Sequence, residues 1–434
     1  MNKIFKTDTY RILAKDVLQS NNTHRTGINN NDLILGPSGA GKTRGYVIPN
    51  ILQANESMII ADTKGDLAKA FSGYLEKKGY KVFVLDFKDT NKSCGYNPLD
   101  YIGYYPETDS YNEQDILKLV RCIAPDMDTR EPFWDEQGRT LLAMLVSYVL
   151  ENVRKEDRNL VSVQKLFSVW SRETGEKMFA QIQRSKPDSF ALTNYKLIRK
   201  NFNAERMAAS IEAFTAKALE IFSFAGTRKM VTSRKCIDIR AIGREKTALF
   251  LNISDTDRSM DRLVNIFYTQ ALQALCKEAE DHPGCRLPVP VRIIMDDFAT
   301  NATVEDFDKI ISVIRSRDIS VSIIIQSITQ LDGIYGPEKA KTIINNCDTL
   351  LYLGGQDEAS AMLVQTRTGN SVEHILAMDV NDAYLFRRGK EPMSVIKYDP
   401  MDHAEYENVA DYFGRERIEW ERDEKPEKIT FGFC

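Results

Sequence analysis

The stretch GPSGAGKT, Gly36 to Thr43, places Gly36, Gly41, Lys42 and Thr43 in the spacing G-x-x-x-x-G-K-[ST], directly behind the apolar run Leu33–Leu35. Gly36, Gly39 and Gly41 free the backbone to turn its N–H groups inward around an anion, and a helix starting behind them adds its partial positive charge. Pro37, Ser38 and Ala40 complete the loop. In this pattern the lysine, here Lys42, reaches β- and γ-phosphates and the hydroxyl of Thr43 ligates a magnesium ion. The ligand it predicts is a nucleoside triphosphate with Mg2+. Hydrolysis needs a second acidic site at another strand end. VRIIMDDF supplies Asp296 for the magnesium and its water shell and Asp297 as the carboxylate that polarises the attacking water. VSIIIQS then ends in Gln326, an amide placed to sense the γ-phosphate. VIRSRD offers Arg315 and Arg317, either of which is suited to enter a neighbouring subunit's site and stabilise transition-state charge.

Positioning these residues takes a sheet. DLILG, SMIIAD and KVFVLDF read as buried strands in the first 90 residues, and TALFLNIS, VRIIMDD, VSIIIQS, TLLYLGG, AYLFRR and SVIKY as further strands after residue 245. Near-continuous apolar runs separated by helix-length segments indicate an α/β fold with a mostly parallel sheet covered on both faces. Between Pro106 and Lys235 the apolar residues recur at three and four instead, the mark of helices. The expected order is a nucleotide-binding part over residues 1–105, an all-α insertion over 106–240, a second nucleotide-binding part over 241–400, and an acidic, solvated tail over 401–434. YNPLDY implies only a turn at Asn97-Pro98.

Composition sets the bounds. In 434 residues, 43% are apolar and 28% charged, as in a globular protein, and no run reaches the eighteen apolar residues of a membrane span. The start shows no secretory signal, so a cytoplasmic place is expected. The seven cysteines and four histidines are scattered, which argues against a disulfide framework or a zinc site. Although the net charge is −4, residues 151–235 hold 17 Lys and Arg against 9 Asp and Glu. Such a basic block suits a polyanion. Within it NYKLIRKNFNAER interleaves Tyr195 and Phe202 with Lys196, Arg199, Lys200 and Arg206, a pattern that fits base stacking along single-stranded DNA.

GPSGAGKT, IIADTKGDL (Asp62, Lys64, Gly65), GYKVFVLDF, YNPLDYI, IIMDDFA, IRSRDISVSIIIQSITQLDGIYG and NNCDTLLYLGG, in this order, resemble the type IV secretion coupling proteins, the TraG/TraD/TrwB-like conjugative ATPases. The resemblance runs from about residue 25 to about residue 395. It implies a RecA-like P-loop NTPase domain with an inserted all-α domain, assembled as a hexamer. It also narrows the nucleotide to ATP and implies ATP-driven transfer of single-stranded DNA, attached to a relaxase, into the channel of a type IV secretion system, with accessory conjugation proteins as partners. The motor would then sit at the cytoplasmic face of the plasma membrane through those partners. Two departures stand out. The family usually bears Glu where this chain has Asp297, which sets the carboxylate back by one C–C bond, roughly 1.5 Å, and it usually starts with transmembrane helices. Slow hydrolysis is one consequence, and a nucleotide-binding docking platform for relaxase is the rival reading. A duplex DNA pump of the chromosome-partition or packaging kind is the third.

Overall fold

The computed structural model describes residues 9–125, 132–298 and 303–416. An N-terminal hairpin, β1 (Tyr10–Ala14) and β2 (Val17–Ser20), leads into β3 (Asp32–Leu35), β4 (Ser57–Asp62) and β5 (Lys81–Asp86). A second small hairpin, β6 (Tyr104–Tyr105) and β7 (Ser110–Tyr111), was not legible in the sequence. After the helical insertion come β8 (Thr247–Asn252), β9 (Val291–Met295), β10 (Ile319–Ile325), β11 (Thr349–Tyr352), β12 (Asp382–Arg387) and β13 (Met393–Ile396). Nine of these form one sheet in the order β13-β12-β11-β3-β10-β9-β4-β8-β5. Pairing is parallel from β11 to β5 and antiparallel at β12 and β13. All nine correspond to the strand runs read from sequence. Strands such as ISVSIII are buried at every position, as a strand covered on both faces must be.

The phosphate-loop strand β3 lies between β10 and β11. Strands β4, β5, β8, β9 and β10 lie on one side of it and β11 to β13 on the other. Its C-terminal tip is therefore the point where the chain's winding reverses, the place where open α/β sheets bind ligands.

Alternate residues of each strand feed two cores. Leu33, Leu35, Ile59 and Ile323 join helix Asp261–Glu280 and the insertion's Leu141, Leu145, Phe179 and Phe222 in one continuous apolar cluster. Ile34, Ile60 and Ile324 meet Val47, Ile51, Phe71 and Tyr406 on the opposite face. In the insertion, helix Pro132–Asn152 has Leu141 to Val146 all buried, so it is the central helix that its neighbours enclose.

YNPLDY turns out to join the two connections of the insertion. Tyr96 Oη donates to Gln270 Oε1 at 2.6 Å, and Gln270 Nε2 donates to the carbonyl of Pro98 at 2.9 Å. Asn97 caps the short turn Pro98–Tyr101, accepting from Leu99 N at 3.2 Å and donating to Asp100 Oδ1 at 2.8 Å. The outgoing chain lies alongside: Ile237 N donates to Gly95 O at 2.8 Å and Tyr101 Oη to Ile237 O at 2.8 Å.

The expected solvated tail needs correction over its first part. Tyr406, Val409 and Ala410 are buried in the core, and the Phe413 ring lies 5.8 Å from that of Phe71. Three apolar side chains within five residues outweigh the acidic composition there. Residues 417–434 lie outside the described residues. Among the described residues, no helix is long and apolar enough to cross a membrane.

Candidate nucleotide site

The loop leaves β3 at Gly36, whose N–H donates to Ile325 O at 3.2 Å. Gly39 and Gly41 have φ of 79° and 85°, the left-handed region that glycine alone adopts freely, and a Cβ at either would meet open space. Those two positions therefore need glycine for backbone shape. Gly36 needs it for contact, since a Cβ there would stand 2.9 Å from Leu353 Cβ. The LYLGG run comes equally close: a Cβ on Gly355 would approach Pro37 Cδ to 3.1 Å. Behind the loop the chain takes one π-helical turn, Thr43–Val47, before the α-helical turn Ile48–Leu52. Sequence periodicity gives an uninterrupted helix there and misses the wider turn.

Lys42 is 8% exposed and donates from Nζ to Gly36 O at 2.7 Å and to Pro37 O at 2.9 Å. Burial lowers its pKa, while Asp297 and Asp296 pull the other way. Thr43 Oγ1 donates to Asp296 Oδ2 at 2.7 Å. With β9 next but one to β3, the two strand tips stand roughly 10 Å apart across the tip of β10, and the Thr43 side chain bridges that gap. Asp296 is 6% exposed, and burial raises its pKa to about 6 against the hydrogen bond from Thr43. Asp297 follows in a left-handed conformation with φ of 51°, its N–H donating to Asp296 Oδ1 at 3.1 Å. Gln326 lies at the tip of β10 and lines, with Pro37, Gly355 and Asp357, a cavity of about 270 Å³. One hydroxyl and one carboxylate are a donor set that would suit a magnesium ion, which would supply positive charge beside phosphate oxygens.

The structure thus gathers Gly36 to Thr43, Asp296, Asp297 and Gln326. It does not bring Arg315 and Arg317 to them. Both precede β10, so they stand at the opposite edge of the sheet, roughly 20 Å away along seven residues of strand. Arg315 donates to Gly27 O at 3.1 Å, and Arg317 pairs with Glu280 at 2.8 Å. Lys196, Arg199, Lys200 and Arg206 are exposed on the insertion, while Tyr195, expected to stack on a base beside them, is buried. The Tyr195 ring is stacked on Phe179 at 4.2 Å within the helical core, and the half-buried Phe202 packs against Trp170 at 6.2 Å. Asp62 is likewise structural: buried, it accepts from Gly65 N and Ala68 N, each at 2.8 Å, and holds the start of helix Asp66–Lys77. Sequence reading missed Lys397 and Arg44, which touch the loop region from and toward the end of β13.

The model of the family described as type IV secretory system conjugative DNA transfer matches residues 2–375. The chain belongs to that family. Protein VirD4 of Rhizobium radiobacter is 22% identical over 365 residues, 82% of this chain and 50% of that protein. Conjugal transfer protein TraG of Escherichia coli is 28% identical over 147 residues, 33% of this chain and 23% of that one. The chain spans about half the length of the curated VirD4 relatives it matches. Among solved structures, the unbound conjugative coupling protein TrwBdeltaN70 superposes with a TM-score of 0.64 at 16% identity, covering 89% of this chain and 88% of that one. TrwB in complex with ADP and Mg2+ gives 0.62 at 16% identity, with 85% of each chain covered. The fold of this member of the conjugative transfer family is that of a RecA-like P-loop NTPase.

Proposed function

We propose that this chain is an ATP-hydrolysing coupling protein that recruits single-stranded DNA with its relaxase and moves it to a type IV secretion channel. The observation that carries the reading is the 2.7 Å hydrogen bond from Thr43 to Asp296, which sets the phosphate loop against a carboxylate pair at the sheet's ligand-binding edge. The TrwB neighbour of the same fold is in complex with ADP and Mg2+ in one structure and with a non-hydrolysable ATP analogue in another. In this reading residues 1–105 and 241–400 form the motor and 106–240 the inserted all-α domain.

The N–H groups of Gly36 to Thr43 would take the phosphates of ATP, and Lys42 would leave its two carbonyls to reach the β- and γ-oxygens. Thr43 and Asp296 would hold a magnesium ion, which neutralises charge on the phosphates. Asp297 orients the attacking water and accepts its proton, and Gln326 reads the presence of the γ-phosphate. Arg315 or Arg317 serves the site of the next subunit in a hexameric ring. Lys196, Arg199, Lys200 and Arg206 meet DNA phosphates through charge. The relaxase, accessory proteins and channel subunits hold the ring at the cytoplasmic face of the plasma membrane.

ATP turnover measured with and without single-stranded DNA tests the reading. Stimulation by DNA is expected, and no turnover in either condition overturns it. Asp297 favours a second reading, a docking platform with little hydrolysis. The variant Asp297→Glu separates them: a large gain from a near-zero baseline supports the platform, and little change supports the motor.

A further inference from the structure

Three consecutive residues beyond β13, outside the residues that the family model matches, lie against the phosphate loop and the turn behind it. Lys397 Nζ donates to Ala40 O at 3.1 Å and to Leu353 O at 2.9 Å. The carbonyl of Tyr398 lies 3.2 Å from where a Cβ on Gly45 would stand. Asp399 Oδ1 accepts from Arg44 Nη2 at 3.2 Å. The Lys397 backbone is itself fixed, its N–H donating to Asn381 O at 3.0 Å.

A loop that turns its N–H groups toward an anion turns carbonyls away from it, and those carbonyls need donors. Two donors divide the work here. Lys42 takes Gly36 O and Pro37 O, but it is the residue that phosphate would draw away. Lys397 takes Ala40 O in the second half of the loop and ties it to Leu353 at the end of β11, and neither contact competes with phosphate. Burial lowers the Lys397 pKa to about 8, opposed by Asp379 and Asp382, so at neutral pH it remains mostly an ammonium behind the anion site.

We propose that Lys397 is a positioning residue of the nucleotide site: it holds the second half of the phosphate loop in its anion-accepting shape while Lys42 exchanges its carbonyl partners for phosphate. The inference rests on the nucleotide-binding reading above. Its reach is limited to the loop, and Lys397 touches no reacting atom.

The test uses the full chain with Lys397→Met and Lys397→Arg. Equilibrium binding of a fluorescent ATP analogue with Mg2+ should weaken about tenfold or more in the methionine variant, since charge-assisted hydrogen bonds are removed. The arginine variant, which keeps the charge and the donors, should retain binding within about threefold. In the nucleotide-free protein, amide hydrogen exchange of residues 38–41 should rise in Lys397→Met while the amides of β3, β9 and β10 stay as protected as before. Turnover should show the loss mainly in KM. Unchanged affinity and unchanged loop exchange in Lys397→Met, with the wild type binding normally, would overturn the role of Lys397 and leave the nucleotide site standing. Exchange that rises across the whole sheet would overturn it too, because the lysine would then be a scaffold residue only. Failure of the wild type to bind the analogue would bring down the nucleotide reading and this inference together.

Discussion

Asp296 pays for its place with the energetics of a buried carboxylate. Its folded pKa of about 6 lies above the ordinary 3.8, so the folded state holds the proton more tightly than the unfolded chain. The stability this carboxyl contributes is therefore full below about pH 4 and is lost as pH rises through about 6, a change of up to ~3 kcal/mol at 1.36 kcal/mol per pKa unit. Asp296→Asn should accordingly raise the melting temperature of the nucleotide-free protein at pH 7.5, have little effect at pH 4, and abolish hydrolysis. Thermal melts at the two pH values check the sign, and equal shifts at both would remove the burial argument. Lys42→Ala acts on the same site from the other side: it should abolish nucleotide binding and turnover while leaving the circular dichroism spectrum unchanged. Turnover equal to wild type would remove the site assignment.

At the scale of elements, the join between sheet and insertion depends on one close approach. A Cβ on Gly95 would stand 2.5 Å from Ser233 Cβ and 2.9 Å from Cys236 Sγ, so Gly95→Ala must push the outgoing chain away from the inbound one. A loss of roughly 1–3 kcal/mol is expected from such overpacking, measured by urea unfolding. Gly73 gives the opposite sign. It is exposed within helix Asp66–Lys77 and a Cβ there meets nothing within 4 Å, so Gly73→Ala should stabilise by about 0.5–1 kcal/mol through backbone entropy. These contacts also show where sequence reading stops. The nine sheet strands were legible because each is an apolar run flanked by turns, and the phosphate loop and its acidic partner because their spacings are local. Hairpin β1–β2 was not: YRILA and VLQS are short, and their hold on the fold is the buried pair Arg11–Asp32 at 2.7 Å, joined by Arg292 and the Tyr46 hydroxyl. Lys397 was hidden for the same reason, since Ala40 is 357 residues away in sequence. Tyr195 was misread because a helix alternates core aromatics with surface cations at the same spacing that a stacking groove does.

Across the whole molecule, the arginines decide whether the site is complete in one chain. The phosphate loop, Asp296, Asp297 and Gln326 stand at the C-terminal edge of the sheet, whereas Arg315 and Arg317 stand at the opposite edge, held by Gly27 O and Glu280. An arginine at that distance cannot reach the γ-phosphate position of its own chain, so a finger role requires a second subunit whose N-terminal sheet edge faces the first subunit's site. That geometry makes a mixing experiment decisive. In a ring built from a Lys42→Ala variant and an arginine-deficient variant, some interfaces pair an intact phosphate loop with an intact arginine. Each parent alone should be nearly inactive, and the mixture should recover a fraction of wild-type turnover that peaks near equal proportions. Native mass measurement with ATP and single-stranded DNA gives the subunit number for the same mixture. If neither Arg315→Ala nor Arg317→Ala is rescued, both arginines are structural, Arg315 holding Gly27 O and Arg317 holding Glu280, and the transition-state cation must come from another residue.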